Sequence, residues 1–258
     1  MAAALLIGAP ASGHGKTTVA AGLARLHARR GARVRCFKCG PDFLDPLWLE
    51  TASGHAADPL DLWIQGEADC ARRLADAAAD VDLVVVEGAM GLFDGDSSGA
   101  DVAAAFDLPV LAVIDASAMA ATFGAVAHGL QTWRASLPWA GVLANRVGGE
   151  GHAAMLQRAV RDPMHWHGHL PQSEALRWPE RHLGLTMPSE SPEASRALDA
   201  AADWLERTPL GRALADWPPW RAPVAAPAAP LPRCLRGAES PSHATPRSRF
   251  STPPTSSC

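Results

Sequence analysis

One segment of this 258-residue chain constrains its fold more than any other: GAPASGHGKTT, Gly8 to Thr18, set between an apolar run, ALLIGA (4–9), and a stretch of helical periodicity at 16–30. A turn of small residues leading from a strand into a helix lets backbone N–H groups wrap an anion at the helix's positive end. A lysine then neutralises the β and γ charges of a nucleotide, and the next hydroxyl suits Mg²⁺. This reading assigns Ser12, Gly13, Gly15, Lys16, Thr17 and Thr18 to the phosphates, with Thr17 also on the metal. The departure is Pro10, which stands at the first glycine of G-x-x-x-x-G-K-[ST].

A strand–loop–helix of this kind belongs in a sheet of parallel strands, and the rest of the chain has the matching pattern. Val/Leu/Ile-rich runs at 4–9, 33–38, 82–87, 109–115, 140–147 and 165–170 alternate with helical periodicity at 16–30, 66–79, 100–106, 119–134, 151–160 and 193–207. Gly31, after Arg29 and Arg30, is placed to stop the first helix. The expectation is one doubly wound, mostly parallel α/β domain over 1–217. Residues 218–258 are Pro-rich and aperiodic, and are expected to be a disordered tail.

Composition excludes several classes. With 48% hydrophobic and 19% charged residues the chain is of globular type. The formal charge is −4; residues 221–258 hold five Arg and one Glu, which leaves 18 − 26 = −8 for 1–220 and argues against a nucleic-acid-binding face. The longest apolar runs fall far short of the roughly 18 to 20 residues that span a bilayer, and the start lacks the basic region of a signal peptide, so a cytoplasmic protein is expected. Five cysteines do not suggest a disulfide framework. Cys36 and Cys39 form a C-x-x-C without a second half, and they are read as core residues rather than as a zinc or redox pair.

Two further motifs end strands. DLVVVEGAMGLFDG, Asp82 to Gly95, is a buried strand closing on Glu87, placed to bind Mg²⁺ directly or through water, and Gly88 and Gly91 allow the backbone to approach a ligand closely. Asp94 follows in the same loop; an acidic residue there also has an ordinary structural use at a strand end. FKCGPDFLDP, Phe37 to Pro46, brings Lys38, Asp42 and Asp45 to the carboxyl edge of the sheet, where open α/β folds bind ligands. The two carboxylates could share a metal or position a substrate, and Pro-Asp and Asp-Pro are equally turn formers.

Taken together, GAPASGHGKTTVAAGL, FKCGPDFLDP, VVVEGAMGLFDG, GVLANRV and WPERHLGL closely resemble the N-terminal ATP-binding domain of the cobyrinic (hydrogenobyrinic) acid a,c-diamide synthases, over about residues 4 to 210. In that family the loop reads A-P-x-S-G-x-G-K-T-T, which accounts for Pro10. The resemblance implies a P-loop NTPase-like, dethiobiotin-synthetase-like fold and ATP- and Mg²⁺-dependent amidation of the c and then the a carboxylate of a corrinoid in cobalamin biosynthesis, through an acyl phosphate. It implies Lys16 on the β and γ phosphates, and Thr17 and Glu87 on Mg²⁺. It implies Asp42 and Asp45 assisting the metal and the phosphoryl transfer, and Asp94 acting at the same step or on the substrate. Asn145 matches the position that reads adenine in related synthetases, or serves as a turn-forming Asn. Arg181 and His182 fall in a loop used near the active site. A homodimer is expected by the same likeness.

Full-length members of that family continue into a glutamine amidotransferase domain. The only cysteines after residue 160 are Cys234 and Cys258, in the Pro-rich tail, so ammonia is expected from solution or from a separate glutaminase. Three readings stand beside the ligase: a dethiobiotin-synthetase-like enzyme, a partition-type ATPase switch, and an inactive truncated fragment. The switch proteins usually carry an extra early lysine, and Lys16 is the only lysine in this loop. His165, His167 and His169 alternate on a predicted strand, a pattern open to metal binding but read as structural.

Overall fold

The computed structural model describes residues 2–161, 164–176 and 191–224. Seven strands form one sheet: β1 (Ala3–Gly8), β2 (Val34–Cys39), β3 (Asp58–Leu60), β4 (Leu83–Glu87), β5 (Val110–Asp115), β6 (Trp139–Val147) and β7 (Trp166–Pro171), in the order β3-β2-β4-β1-β5-β6-β7. Every pairing is parallel. Among the described residues six α-helices lie between them, α1 (Lys16–Arg29), α2 (Asp45–Ser53), α3 (Glu67–Asp80), α4 (Gly99–Ala105), α5 (Thr122–Thr132) and α6 (Glu150–Ala159), and α7 (Pro192–Glu206) follows β7. The P-loop α/β architecture expected from the motif order is the one observed, with the strand that ends in Glu87 beside the strand that leads into the phosphate loop.

Alternating side chains of the central strands feed two cores. Leu5, Ile7, Val85 and Val113 pack with α1, α2 and α7, while Leu6, Val86, Ala112 and Ile114 pack with α3 to α6 on the opposite face. Helix α1, which carries the phosphate loop, is braced by α7 through the close fit of Gly22 against Ala201 and Leu205 and by ion pairs Arg25–Asp199, Arg29–Asp203 and Arg30–Glu206. The apolar contact does most of that work, because exposed pairs contribute about 0–1 kcal/mol each.

Two elements have no counterpart in the sequence reading. Strand β3 is three residues long and contains Pro59, too short for a period-2 pattern and tolerable only at the sheet edge where it lies. Helix α2 starts inside the loop read as turn chemistry, where Asp42 accepts hydrogen bonds from the N–H groups of Leu44 (2.8 Å) and Asp45 (3.1 Å) and so fixes the turn that leads into it. Helix α5 is shorter than the predicted 119–134. Trp220, within the segment expected to be tail, is 4% exposed and its indole N–H donates to the Phe106 carbonyl at 2.9 Å, so packed chain runs past residue 217. Residues 225–258, Arg181 and His182 lie outside the described residues.

Cys36 packs in one core and Cys39 in the other, and desolvation pushes both buried thiols up to about 12. Among the described residues no three His, Cys, Asp or Glu gather to hold a metal, and the Nε2 of His167 lies against the Ala140 carbonyl at 2.9 Å. No helix among them is long and apolar enough to cross a membrane.

One buried histidine makes the fold acid-sensitive. His27 of α1 lies edge-on to Trp217, with Nε2 lacking a hydrogen-bond partner, and desolvation followed by the Arg30 charge lowers its pKa from 6.5 to about 4. The unfolded chain therefore binds more protons between those values, and stability falls as pH drops from about 6.5 to about 4, by as much as roughly 3 kcal/mol. Urea unfolding of wild type and His27→Phe should show the gap between them changing by that amount over this window; parallel pH curves would remove His27 as the cause.

Candidate functional site

Helix α1 begins without a side-chain cap and without an acidic residue in its first turn. Its leading N–H groups and positive dipole end are thus left for an anion from outside. The turn before it depends on Gly15, whose φ of 96° is left-handed and whose Cβ would lie 2.1 Å from the Asn145 side-chain nitrogen. Asn145 is buried beneath the loop: its amide donates to the His14 carbonyl (2.9 Å) and its oxygen accepts from the Arg146 N–H. The loop after β4 is stitched to the same turn, with Leu92 N–H donating to Ala9 O at 2.8 Å. That approach requires Gly91, where a Cβ would stand 2.6 Å from the Pro10 carbonyl.

Sheet register does the rest of the assembly. Ile7, Glu87 and Lys38 are level neighbours on β1, β4 and β2, so the ends of three strands open on one place. A cleft of about 640 Å³ lies there, lined by Ser12, Gly13, Gly15, Lys16, Thr17 and Thr18 on one side and by Lys38, Asp42, Asp45, Trp48 and Glu87 on the other. A larger cavity, about 830 Å³, lies between α5 and α6, and none of the predicted site residues lines it, so size alone does not choose the site.

The cleft is a cluster of buried charge. Glu87 is 1% exposed; one carboxylate oxygen accepts from the Thr17 hydroxyl at 2.6 Å, and the other, Oε2, is buried without a hydrogen-bond partner. Burial pushes the Glu87 carboxyl up to about 7 against the opposing pull of Lys38. Lys38, 3% exposed, donates to the Gly88 carbonyl at 3.0 Å and lies 3.5 Å from Asp45 and 3.7 Å from Glu87. Burial opposes ionisation of Asp42, but the N–H groups of Asp45 and Leu44 prevail and hold its pKa below the usual carboxylate value. The Lys16 ammonium donates to the carbonyls of Ala11 (3.2 Å) and Met90 (2.5 Å), and desolvation lowers its pKa while Glu87 opposes.

A buried carboxylate oxygen without a partner, beside a hydroxyl, suits a small hard cation whose other ligands come from phosphate and water. Thr17 and Glu87 fit such an ion; Asp42 lines the same cleft with one oxygen engaged by backbone N–H groups. Asp94 is placed differently: its carboxylate accepts the Gly91 N–H at 2.8 Å, shaping the loop, and it does not line the cleft.

Residues outside the sequence-based set also appear. Trp48 and Arg146 line the cleft, and His14, inside the loop, accepts the Asp115 N–H on Nδ1 at 2.8 Å while Asp115 pairs with Arg146. The lysine in FKCGPDFLDP marked Lys38 from the start. Nothing in the pattern marked Trp48 or Arg146, which reach the cleft from the first turn of α2 and from the end of β6. A second cavity, about 540 Å³, adjoins beyond β6 and β7, lined by Thr18, Asn145, Arg146, Gln172 and Glu174 among others.

Comparison with known proteins gives a family and close relatives. The family model described as the CobQ/CobB/MinD/ParA nucleotide binding domain matches residues 5–185. The chain is 57% identical over 205 residues to a hydrogenobyrinate a,c-diamide synthase of Stutzerimonas stutzeri (strain A1501), covering 80% of this chain and 48% of that protein. It is 54% identical over 235 residues to a hydrogenobyrinate a,c-diamide synthase of Pseudomonas aeruginosa, covering 91% and 53%. To a cobyrinate a,c-diamide synthase of Herminiimonas arsenicoxydans it is 50% identical over 202 residues, covering 78% and 45%. The chain spans about half the length of the curated relatives it matches.

Proposed function

The chain belongs to the CobQ/CobB/MinD/ParA nucleotide-binding domain family, and from that premise we propose that it activates the c and a carboxylates of cobyrinic or hydrogenobyrinic acid with ATP for amidation. The observation that carries this reading is the convergence of Lys16, Thr17, Glu87, Lys38, Asp42 and Asp45 on one cleft, with a buried Glu87 oxygen left without a partner. An ionised carboxylate resists attack by ammonia. Transfer of the γ-phosphoryl group to it gives an acyl phosphate, from which ammonia displaces phosphate to leave the amide. The protein's contribution is positioning and neutralisation of charge.

The N-terminus of α1 and the Lys16 ammonium bind the phosphates, Lys16 exchanging its carbonyl partners for phosphate oxygens. Thr17 and Glu87 would hold Mg²⁺, with Asp42 assisting, and the ion would supply further neutralisation of the phosphates. Lys38, fixed by Gly88, Asp45 and Glu87, presents a positive charge on the side where the acceptor carboxylate arrives. Asp45 holds Lys38 in that position. The adjoining cavity at Thr18 and Asn145 suits the nucleoside end, and Asn145 there also props the phosphate loop. Ammonia comes from solution or from a separate glutaminase, the active form is a homodimer, and the reaction takes place in the cytoplasm, where ATP is at hand.

The test is ATP-dependent conversion of hydrogenobyrinic or cobyrinic acid to the diamide by the purified chain, with ammonium and, separately, with glutamine. Product with ammonium, requiring Mg²⁺, is the expected result; ATP binding with no amide from either nitrogen source would favour a nucleotide switch. Within that assay, Glu87→Gln and Asp45→Asn should each lower kcat by about a hundredfold or more. Asp45→Asn should leave nucleotide affinity within a few-fold of wild type, and an unchanged rate would return Asp45 to its role at the start of α2.

A further inference from the structure

Large apolar side chains are unevenly distributed over the surface. Among the described residues eight are exposed, and five of them, Phe43, Leu44, Trp63, Ile64 and Met90, sit on the three loops that leave the carboxyl edges of β2, β3 and β4. Trp63 is 80% exposed, Phe43 75% and Met90 51%. Because β3, β2 and β4 are consecutive in the sheet, these loops stand side by side, and Met90 itself lines the phosphate cleft. The Trp63 turn is held in place: Asp61 Oδ1 accepts the N–H groups of Trp63 and Ile64, both at 2.9 Å, and Leu62 N–H donates to Ser97 on the β4 loop at 3.2 Å. Side chains presented by a fixed turn lose less freedom when something covers them.

The same three loops, residues 40–44, 61–66 and 88–98, contain no Lys, Arg or His, and their charged residues are Asp42, Asp61, Asp94 and Asp96. A polycarboxylate approaching the cleft from this side therefore finds no cation for the carboxylates that are not reacting. We propose that Phe43, Trp63, Ile64 and Met90 form an apolar platform that binds the macrocyclic face of the corrinoid substrate while its non-reacting carboxylates stay in water. This inference rests on the proposed function for the identity of the substrate. Apolar contact is non-directional, so the platform can hold the ring with either the c or the a carboxylate turned to the cleft, which two successive amidations at one site require.

Equilibrium dialysis of hydrogenobyrinic acid against the chain, with Mg²⁺ and a non-hydrolysable ATP analogue, reads the platform directly. Trp63→Ser and Phe43→Ser should each raise the corrinoid Kd by about tenfold or more, with Trp63→Phe close to wild type and affinity for the ATP analogue unchanged. Raising NaCl from about 50 to about 500 mM should not weaken wild-type binding, since no loop cation is there to be screened and the repulsion between the loop aspartates and the ligand carboxylates is reduced. Unchanged corrinoid binding in both Ser variants, or a loss of about tenfold or more with salt, would overturn the platform. Unchanged binding together with loss of a dimer in sedimentation would assign the patch to contact between copies instead. Wild type that binds the ATP analogue but no corrinoid would overturn the proposed function, and the platform with it.

Discussion

Lys16→Ala should abolish measurable nucleotide binding while leaving thermal stability within about 2 °C of wild type. Three cations line the cleft: Lys38 is engaged by Gly88, Asp45 and Glu87, and Arg146 by Asp115. Lys16 donates hydrogen bonds to two carbonyls, Ala11 and Met90, so phosphate oxygens can replace these partners without breaking an ion pair. Burial already lowers its pKa, a cost of holding a charge there that an arriving polyanion offsets. Truncating one partner of a buried, charge-assisted contact costs about 2–5 kcal/mol of binding, or a factor of roughly 30 to several thousand in Kd. Titration with a fluorescent ATP analogue measures it, and affinity within threefold of wild type would remove Lys16 from the phosphate site.

Trp220→Ala should be the most damaging single core change at the far end of the domain. Trp220 packs in the core that includes α3 to α6, its indole donates to Phe106 O, and its own N–H donates to Ala2 O at 3.3 Å, tying the last described segment to the strand that leads into the phosphate loop. Truncating a buried Trp costs about 3–5 kcal/mol. At about 2–4 °C per kcal/mol for a domain of this size, the thermal midpoint should drop by roughly 6–20 °C. A chain ending at residue 217 should lose at least as much. If calorimetry finds a shift below about 2 °C for either, Trp220 is dispensable and the packed domain ends where the composition changes.

The phosphate loop and its strand and helix were legible because the requirement is local: small residues for the turn, a lysine and a hydroxyl, and helical periodicity immediately after. The central strands were equally plain, since strands buried on both faces must be continuously apolar. Trp220 was hidden by its neighbours, because Pro-rich composition signals disorder while a single large side chain can still be captured by a groove that distant elements form. Helix α2 was hidden because Asp42 and the Asp-Pro step read as turn formers, and here the turn runs straight into a helix.

Which residues share a fold class follows from periodicity and motif order, properties carried by neighbours along the chain. Which residues share a site does not. Glu87, Lys38 and Asp45 meet because β4 and β2 pair in one register and α2 starts at Asp45, after the turn that Asp42 fixes, whereas Asp94, named by the same loop motif as Glu87, turns back onto Gly91. The buried charge of the cleft, the unpartnered Glu87 oxygen and the cation-free apolar rim arise from side chains far apart in sequence, Thr17 and Glu87 by 70 residues. Burial and distance set their energies, and only the packed chain determines either.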